Sequence, residues 1–384
     1  MHDDDARQPV RNGSAITKVE RNGRMGNTMQ WNAGQALNDL EQAAKAALPE
    51  YVYGYFAGTA GGGESVQDAA AQWGDVRFRP RAFTRTSAGG TATSVLGVPL
   101  QTPVLAAPMA QQNAATPLAE LATARAVRRT GSLLGVSTNT SVPFAKIAAE
   151  GVPWWFQVYV MKDRGLSDAL VERAAAAGAR ALLLTVDTTR LSSGGLLIDP
   201  LLWPEVPGKT RLANLLEEDL SGLPGGATEA AENLTLDVIS DLRERSGLEV
   251  VVKGILRGDD ARRAVDAGAA GVLVSTHGGR RLGRSVTSIQ ALPEVVQAVG
   301  GDCEVYVDSG IRTGDHIAAS LAMGARAVFI GRPVMWGLAT GGEDGAAAVL
   351  GGLTEELRTT MAGIGAESIE DITADLLSTP PATC

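Results

Sequence analysis

From Pro103 onward one unit recurs along this chain: an apolar, β-rich run, a polar turn, a helix-patterned stretch, a glycine, and another apolar run. Eight runs carry it: Val104 to Pro108, Ser132 to Ser137, Trp154 to Val160, Arg180 to Asp187, Leu248 to Ile255, Gly271 to Ser275, Glu304 to Asp308 and Ala327 to Gly331. Near-continuous apolar strands alternating with amphipathic helices require parallel pairing covered from outside. At four junctions a glycine (Gly131, Gly178, Gly268, Gly324) stands where a helix must stop, because glycine takes the left-handed conformation without a Cβ clash. The stretch from Asp259 to Ala267 shows the unit in miniature. Asp259 is the expected N-cap, Ala261, Ala264 and Val265 form one apolar face, and Gly268 ends it. Strands roughly 25 to 30 residues apart suit βα units. Eight of them predict an α/β fold, a closed (β/α)8 barrel of the TIM type, with an open doubly wound sheet as the second solution.

The spacing breaks once. About 60 residues separate Asp187 from Leu248, far more than such connections use. This long loop after the fourth strand holds Pro200, Pro204, Pro207, Pro224 and an amphipathic patch, Leu212 to Leu220. It would lie at the catalytic face, where it is either a lid or a tolerated insertion. Ahead of the barrel, residues 1–30 are polar and lack an apolar signal-peptide core, and read as a disordered tail. Residues 31–100 read as an N-terminal helical capping segment, with a helix from Ala36 to Leu48, and residues 101–384 as the barrel. A net charge of -9 and a pI near 5.0, with no basic stretch, argue against a nucleic-acid partner. No run is long enough for a membrane span. Two cysteines, Cys303 and Cys384, give neither a disulfide framework nor zinc spacing, and fit a reducing, cytoplasmic setting.

In such a barrel the chemistry collects at the C-terminal ends of the strands. Those ends carry Pro108-Met109-Ala110, Ser137, Asn139, Gln157, Tyr159, Thr185, Asp187, Lys253, Ser275 to Arg280, Asp308 to Arg312, and Gly331-Arg332. The set is rich in hydrogen-bonding groups and holds no metal constellation, since His277 has no second histidine near it: His316 falls on a helix and His2 in the tail. His277 ends the sixth run before a glycine pair, and an imidazole suits proton transfer near neutral pH. Asp308-Ser309-Gly310-Ile311-Arg312 follows the seventh strand and Gly331-Arg332 the eighth, the two loops where barrels bind phosphate. Lys253 ends a Val/Ile-rich run, so its charge needs a use: a Schiff-base nucleophile, or stabilisation of an electron-rich cofactor.

With these residues assembled, the chain resembles the FMN-dependent 2-hydroxy acid oxidases and dehydrogenases, the group of glycolate, lactate and mandelate oxidases. The likeness spans Leu48 to about Ile372. It rests on Tyr-Gly-Tyr-Phe-Ala-Gly58, Ala-Ala-Pro-Met-Ala110, Ala-Thr-Ala-Arg125, Trp-Phe-Gln-Val-Tyr159, Leu-Thr-Val-Asp-Thr188, Val-Lys-Gly-Ile255, Ser-Thr-His-Gly-Gly-Arg280, Asp-Ser-Gly-Ile-Arg312 and Phe-Ile-Gly-Arg-Pro333. The resemblance implies FMN as cofactor, a small-molecule substrate and a homotetramer. It matches His277 to the general base, Asp187 to the carboxylate that steadies it, Arg280 to the substrate-carboxylate clamp, and Tyr55 and Tyr159 to hydroxyls around the substrate. Pro108, Met109, Ala110, Ser137, Gln157, Thr185, Ser275 and Lys253 would then meet the isoalloxazine, and Asp308, Ser309, Gly310, Arg312, Gly331 and Arg332 the ribityl phosphate.

The departures bear on the substrate. In the family a second arginine follows the Thr-Val-Asp-Thr strand; here Leu191-Ser-Ser-Gly-Gly195 stands there, with Gly194 at its place. Thr276 replaces an asparagine, Arg281 a glutamine, Gly283 an aspartate, Ser309 a glycine, and Asn139 a tryptophan of several members. One lost charged contact costs about 1.5 to 3 kcal/mol of binding. The expectation is therefore an oxidoreductase in which the histidine takes a proton and FMN a hydride or carbanion equivalent from a 2-hydroxy acid or related hydroxy or amino substrate, larger than or charged differently from glycolate, with Arg190, Arg281 or Arg284 as candidate replacements for the lost clamp. A non-redox FMN-dependent isomerase or lyase on the same barrel is the alternative.

Overall fold

The structure is a computed structural model and describes residues 33–84, 90–188, 212–215 and 217–378. Helices α1 (Ala33–Ala47), α2 (Glu50–Ala57) and α3 (Glu64–Asp75) come first, then a hairpin of β1 (Thr93–Val95) and β2 (Val98–Leu100). The eight expected strands all form: β3 (Val104–Ala106), β4 (Leu134–Val136), β5 (Trp154–Val158), β6 (Ala181–Thr185), β7 (Glu249–Ile255), β8 (Gly271–Val274), β9 (Glu304–Val307) and β10 (Ala327–Ile330). They pair in parallel in chain order, and β10 pairs back onto β3 to close the barrel. The open-sheet solution is thereby excluded. The outer layer is α4 (Glu120–Thr130), α5 (Phe144–Ala148), α6 (Arg164–Ala176), α7 (Glu217–Leu220), α8 (Asp237–Ser246), α9 (Gly258–Asp266), α10 (Ser288–Val299), α11 (Gly314–Ala322) and α12 (Arg332–Ile364). None of the described helices is long and apolar enough to cross a membrane.

Two cores result from the pleat. Val104, Val136, Phe156, Leu182, Val252, Val274, Val307 and Ile330 point outward under the helices. Leu105, Trp155, Leu183, Val251, Leu273, Tyr306 and Phe329 point inward. Trp155, Tyr306 and Phe329 fill the barrel with ring centroids 5.3 to 6.1 Å apart. The hairpin residues Val95 and Leu100 pack into this inner cluster, and the Leu96 amide donates to Glu304 Oε2 at 3.0 Å. The hairpin thus closes the end opposite the chemistry.

The four helix-ending glycines adopt the expected conformation, with φ of 64° at Gly131, 91° at Gly178, 99° at Gly268 and 102° at Gly324. The capping assignment in α9 needs correction. Arg257 occupies the N-cap, and Asp259 lies within the helix with its carboxylate accepting from the Arg257 guanidinium at 2.8 and 2.6 Å. An acidic group in the first turn still favours the helix dipole, so the sequence signal was sound and only its position shifts.

Helix α12 is kinked at Gly342 (φ 55°, ψ -133°), a backbone region essentially reserved for glycine. Its two arms meet at Gly337 and Gly345, where an added Cβ on Gly345 would overlap the Gly337 carbonyl. Gly345→Ala is expected to cost about 2 kcal/mol or more through overpacking, while Gly341→Ala, which meets open space, should not destabilise. Thermal unfolding of both variants at one scan rate checks this, and equal midpoints would show that the arms can separate freely.

Candidate active site

The inward face changes character toward the C-terminal ends without a change of period. Two residues past Trp155 comes Gln157, then Tyr159; past Leu183 come Thr185 and Asp187; past Val251, Lys253; past Leu273, Ser275 and His277; past Tyr306, Asp308. Gln157, Thr185, Lys253, Ser275 and Asp308 are all buried. Gln157 donates to Thr185 Oγ1 at 3.0 Å and accepts from the Thr138 amide at 3.2 Å. Above them opens a cavity of about 770 Å³, lined by Pro108, Met109, Ala110, Ser137, Gln157, Thr185, Lys253, Tyr55, Tyr159, His277, Arg280 and the Asp308 to Arg312 and Gly331-Arg332 loops.

His277 sits at the centre of a strained turn. Its φ is 55°, and Gly278 and Gly279 follow at 64° and 71°. A non-glycine residue held there needs support from its surroundings, and four contacts provide it. The His277 amide donates to Ser275 Oγ at 3.0 Å, and Lys253 Nζ donates to the same oxygen at 2.9 Å. The Thr276 and Gly278 amides donate to Ser309 Oγ at 3.2 and 3.0 Å. Ser309, itself at φ 73°, donates onward to Asp308 Oδ1 at 2.6 Å. Beneath the turn lies α3: a Cβ on Gly279 would come within 2.6 Å of Val66 Cγ2, and one on Gly310 within 2.8 Å of Ala69 Cβ.

The imidazole is oriented by Asp187, whose Oδ1 and Oδ2 lie 2.9 and 3.2 Å from Nδ1. With Nδ1 donating to the carboxylate, Nε2 keeps its lone pair toward the cavity, where the Tyr159 hydroxyl stands 3.4 Å away. Burial, with Lys253 and Arg281 nearby, outweighs Asp187 and lowers the His277 pKa to about 4. Burial opposes ionisation of Asp187, but His277 and Lys253 overcome it and hold the carboxylate well below its usual range. The pair at neutral pH is therefore a neutral imidazole against a carboxylate, the state a general base requires. Burial raises the Tyr159 pKa, so its hydroxyl stays protonated. Lys253 is likewise penalised by burial, yet Asp308, 3.5 Å away, and Asp187 keep it charged.

Arg280 lies over the Tyr55 ring at 5.2 Å and donates through one nitrogen to the carbonyls of Tyr55 and Gly58 at 2.6 and 3.1 Å. Arg332 takes the Phe56 and Gly58 carbonyls at 3.0 and 2.9 Å. Burial and repulsion from Arg312 and Arg280 lower Arg332 to about 10. Among the described residues no carboxylate lies within ion-pair distance of Arg280, Arg312 or Arg332. Arg312 and Arg332, in the glycine loops after β9 and β10, suit a phosphate dianion, while Arg280 stands apart against Tyr55. Lys253 and the buried amide and hydroxyls of Gln157, Ser137 and Thr185 supply polar groups for a ring system. The residues present thus fit FMN.

Sequence reasoning gathered most of this set, with two adjustments. Ser275 and Asp187 lie behind the cavity wall and act through Lys253 and His277, and the Ser309 hydroxyl is turned to the histidine turn. Gly194 and Arg190 lie outside the described residues. The long loop contributes wall rather than empty insertion in its described part: Thr228, Glu229, Ala230 and Glu232 line the cavity. Backbone bonds from Lys162 and Asp163 to Glu229 and Ala227 pin it, together with a Lys162–Glu229 ion pair at 2.6 Å. Two contributors went unread. Gly254 (φ 105°) forms a bulge in β7, and a Cβ there would lie 2.7 Å from Asp187 Cβ; a glycine inside a strand pattern was its signal. Trp73 donates to the Ser309 carbonyl at 3.2 Å from α3, a long-range contact with no local signature.

Comparison with known proteins agrees with this geometry. The family model described as FMN-dependent dehydrogenase matches residues 44–379, and the chain belongs to that family. It is 43% identical over 358 residues to an L-lactate oxidase of Nostoc sp., covering 89% of this chain and 97% of the relative. It is 39% identical over 342 residues to a 4-hydroxymandelate oxidase of Amycolatopsis orientalis, covering 87% and 95%. A crystal structure of a mandelate oxidase variant with 2-hydroxy-phenylacetamide superposes with a TM-score of 0.80 at 39% identity, covering 90% of this chain and 98% of the other. FMN is the cofactor, and the protein is an oxidoreductase.

Two outcomes follow from the geometry. Gly254→Ala should displace Asp187 and reduce turnover by about a hundredfold or more, in line with loss of general-base support, while the FMN content of the purified protein stays unchanged; wild-type turnover would free Asp187 of its role. The second concerns acid. His277 and His316, the latter half-buried against Trp73 and accepting the Arg312 amide at 3.2 Å, both have pKa values lowered to about 4. The unfolded chain protonates each near pH 6.5 while the folded one does not, so stability falls as pH drops from about 6.5 to 4. Each imidazole contributes up to about 3 kcal/mol to that fall. His316→Asn should flatten the decline of the unfolding midpoint across this window, and an unchanged slope would contradict it.

Proposed function

We propose that this chain oxidises a 2-hydroxy acid bulkier than glycolate to the corresponding 2-oxo acid. The observation that carries the reading is the alignment of Asp187, His277 and Tyr159 across the mouth of a cavity that also holds Arg280. Bound FMN supplies the two-electron acceptor. Pro108 to Ala110, Ser137, Gln157, Thr185 and Lys253 would hold its ring, and Asp308, Arg312, Gly331 and Arg332 its ribityl phosphate. Arg280 binds the substrate carboxylate with Tyr55 beneath it. The Tyr159 hydroxyl orients the substrate oxygen, His277 Nε2 takes the proton, and Asp187 stabilises the resulting imidazolium. Asn139 lines the cavity, and this small side chain where several family members carry a tryptophan supports the larger substrate. The same reading has the protein working in the cytoplasm as a homotetramer.

An anaerobic panel of glycolate, lactate, mandelate and longer 2-hydroxy acids tests this. Acids larger than glycolate should bleach the yellow flavin, and His277→Ala should retain the FMN but lose bleaching by about a hundredfold or more. Efficient bleaching by glycolate would overturn the size preference, and wild-type bleaching in His277→Ala would overturn the role of the base.

A further inference from the structure

Arg281 hydrogen-bonds the Tyr159 hydroxyl but has no counter-charge among the described residues, at the most charge-sensitive point of the site. It lines the cavity beside Arg280, and its Nε is buried without a hydrogen-bond acceptor. Among the described residues no carboxylate lies within ion-pair distance of it. Its field reaches Tyr159, Asp187, Lys253 and His277. Arg280 lines the same cavity from the α2 side, with one nitrogen already committed to main-chain carbonyls. The two consecutive guanidiniums therefore face one cavity, one against Tyr55 and one against Tyr159.

A buried guanidinium N–H without an acceptor is costly. It is retained without loss only where an acceptor arrives during function. Of the other arginines considered above, Arg190 lies outside the described residues, and Arg284 is exposed and faces Glu64. We propose that Arg281 is the second contact of the substrate carboxylate, so that the site selects a monoanionic 2-hydroxy acid held between Arg280 and Arg281. A carboxylate has two oxygens and about four acceptor directions, enough for one guanidinium on each side. An amide or alcohol of the same shape leaves the Arg281 charge without a counter-charge. This inference rests on the proposed function and assigns the charge selectivity of that same site.

The test measures binding and not turnover. The FMN-loaded protein is titrated calorimetrically with pyruvate and benzoylformate, 2-oxo acids that the proposed oxidation would yield, and with the uncharged amides of both. Wild-type protein should prefer at least one acid to its amide. Arg281→Gln should weaken that acid by about tenfold or more and leave the amide nearly unchanged, with Arg281→Lys between, at constant FMN absorbance. Equal weakening of acid and amide would mean that Arg281 only supports the wall, and undiminished acid binding would remove it from the site; either result overturns the inference alone. A yellow wild-type protein that binds neither acid would overturn the proposed function as well.

Discussion

The whole site depends on one constraint, the two-residue period of a strand. Inward positions of β5 to β9 begin as Trp155, Leu183, Val251, Leu273 and Tyr306, and the same alternation delivers Gln157, Thr185, Lys253, Ser275 and Asp308 one step higher. A slip of one residue in any strand would turn an apolar side chain to the mouth and a charge to the helices. The aromatic plug below thus fixes the register of the chemistry above. Catalytic geometry here is largely a consequence of core packing.

Above the plug the backbone must leave the strand geometry to aim an imidazole at the cavity centre. The price is a left-handed histidine, and the supports are distributed over distant segments: Ser309 from the β9 loop, Lys253 and Ser275 from neighbouring strands, and α3 from the N-terminal region. Ser309 is notable because it accepts two amides of the histidine turn while residing in the phosphate loop. The two functional loops therefore share a hydrogen-bonding centre, and a serine held at φ 73° is tolerated because of what its hydroxyl does there. Gly254 completes the arrangement by giving up a side chain so that the Asp187 carboxylate can reach Nδ1.

What could be read from sequence follows from the range of the signal. The eight strands, their order and the four helix-ending glycines are local patterns, and they were legible. His277, Asp308, Arg312 and Arg332 were legible because strand ends are where a barrel places its chemistry. The β1–β2 hairpin was not, since three-residue strands show no period. Helix α3 carried a weak pattern, and its importance lies in contacts with residues more than two hundred positions away, such as Trp73 with Ser309. The exchange of Asp259 for Arg257 at the cap of α9 reflects how a side-chain ion pair can occupy the place of a capping hydrogen bond.

Charge accounting links the cofactor to the substrate. Of the six cations that line the cavity, Lys253, Arg280, Arg281, Arg312 and Arg332 lie inside the exposed rim, where Asp308 on the wall and Asp187 behind His277 are the carboxylates among them. Glu41, bonded to the Tyr53 hydroxyl, acts on Arg312 and Arg332 from outside the cavity. At the exposed rim Lys162 faces both Glu229 and Glu232, at 2.6 and 3.7 Å. Inside, a surplus of three positive charges remains, which burial makes expensive. A phosphate dianion and one carboxylate would cancel it, whereas a neutral substrate would leave one guanidinium buried and uncompensated. Without Arg281 the dianion and a carboxylate would overshoot by one negative charge. On the proposed reading Arg281 is the cation that makes room for an acid.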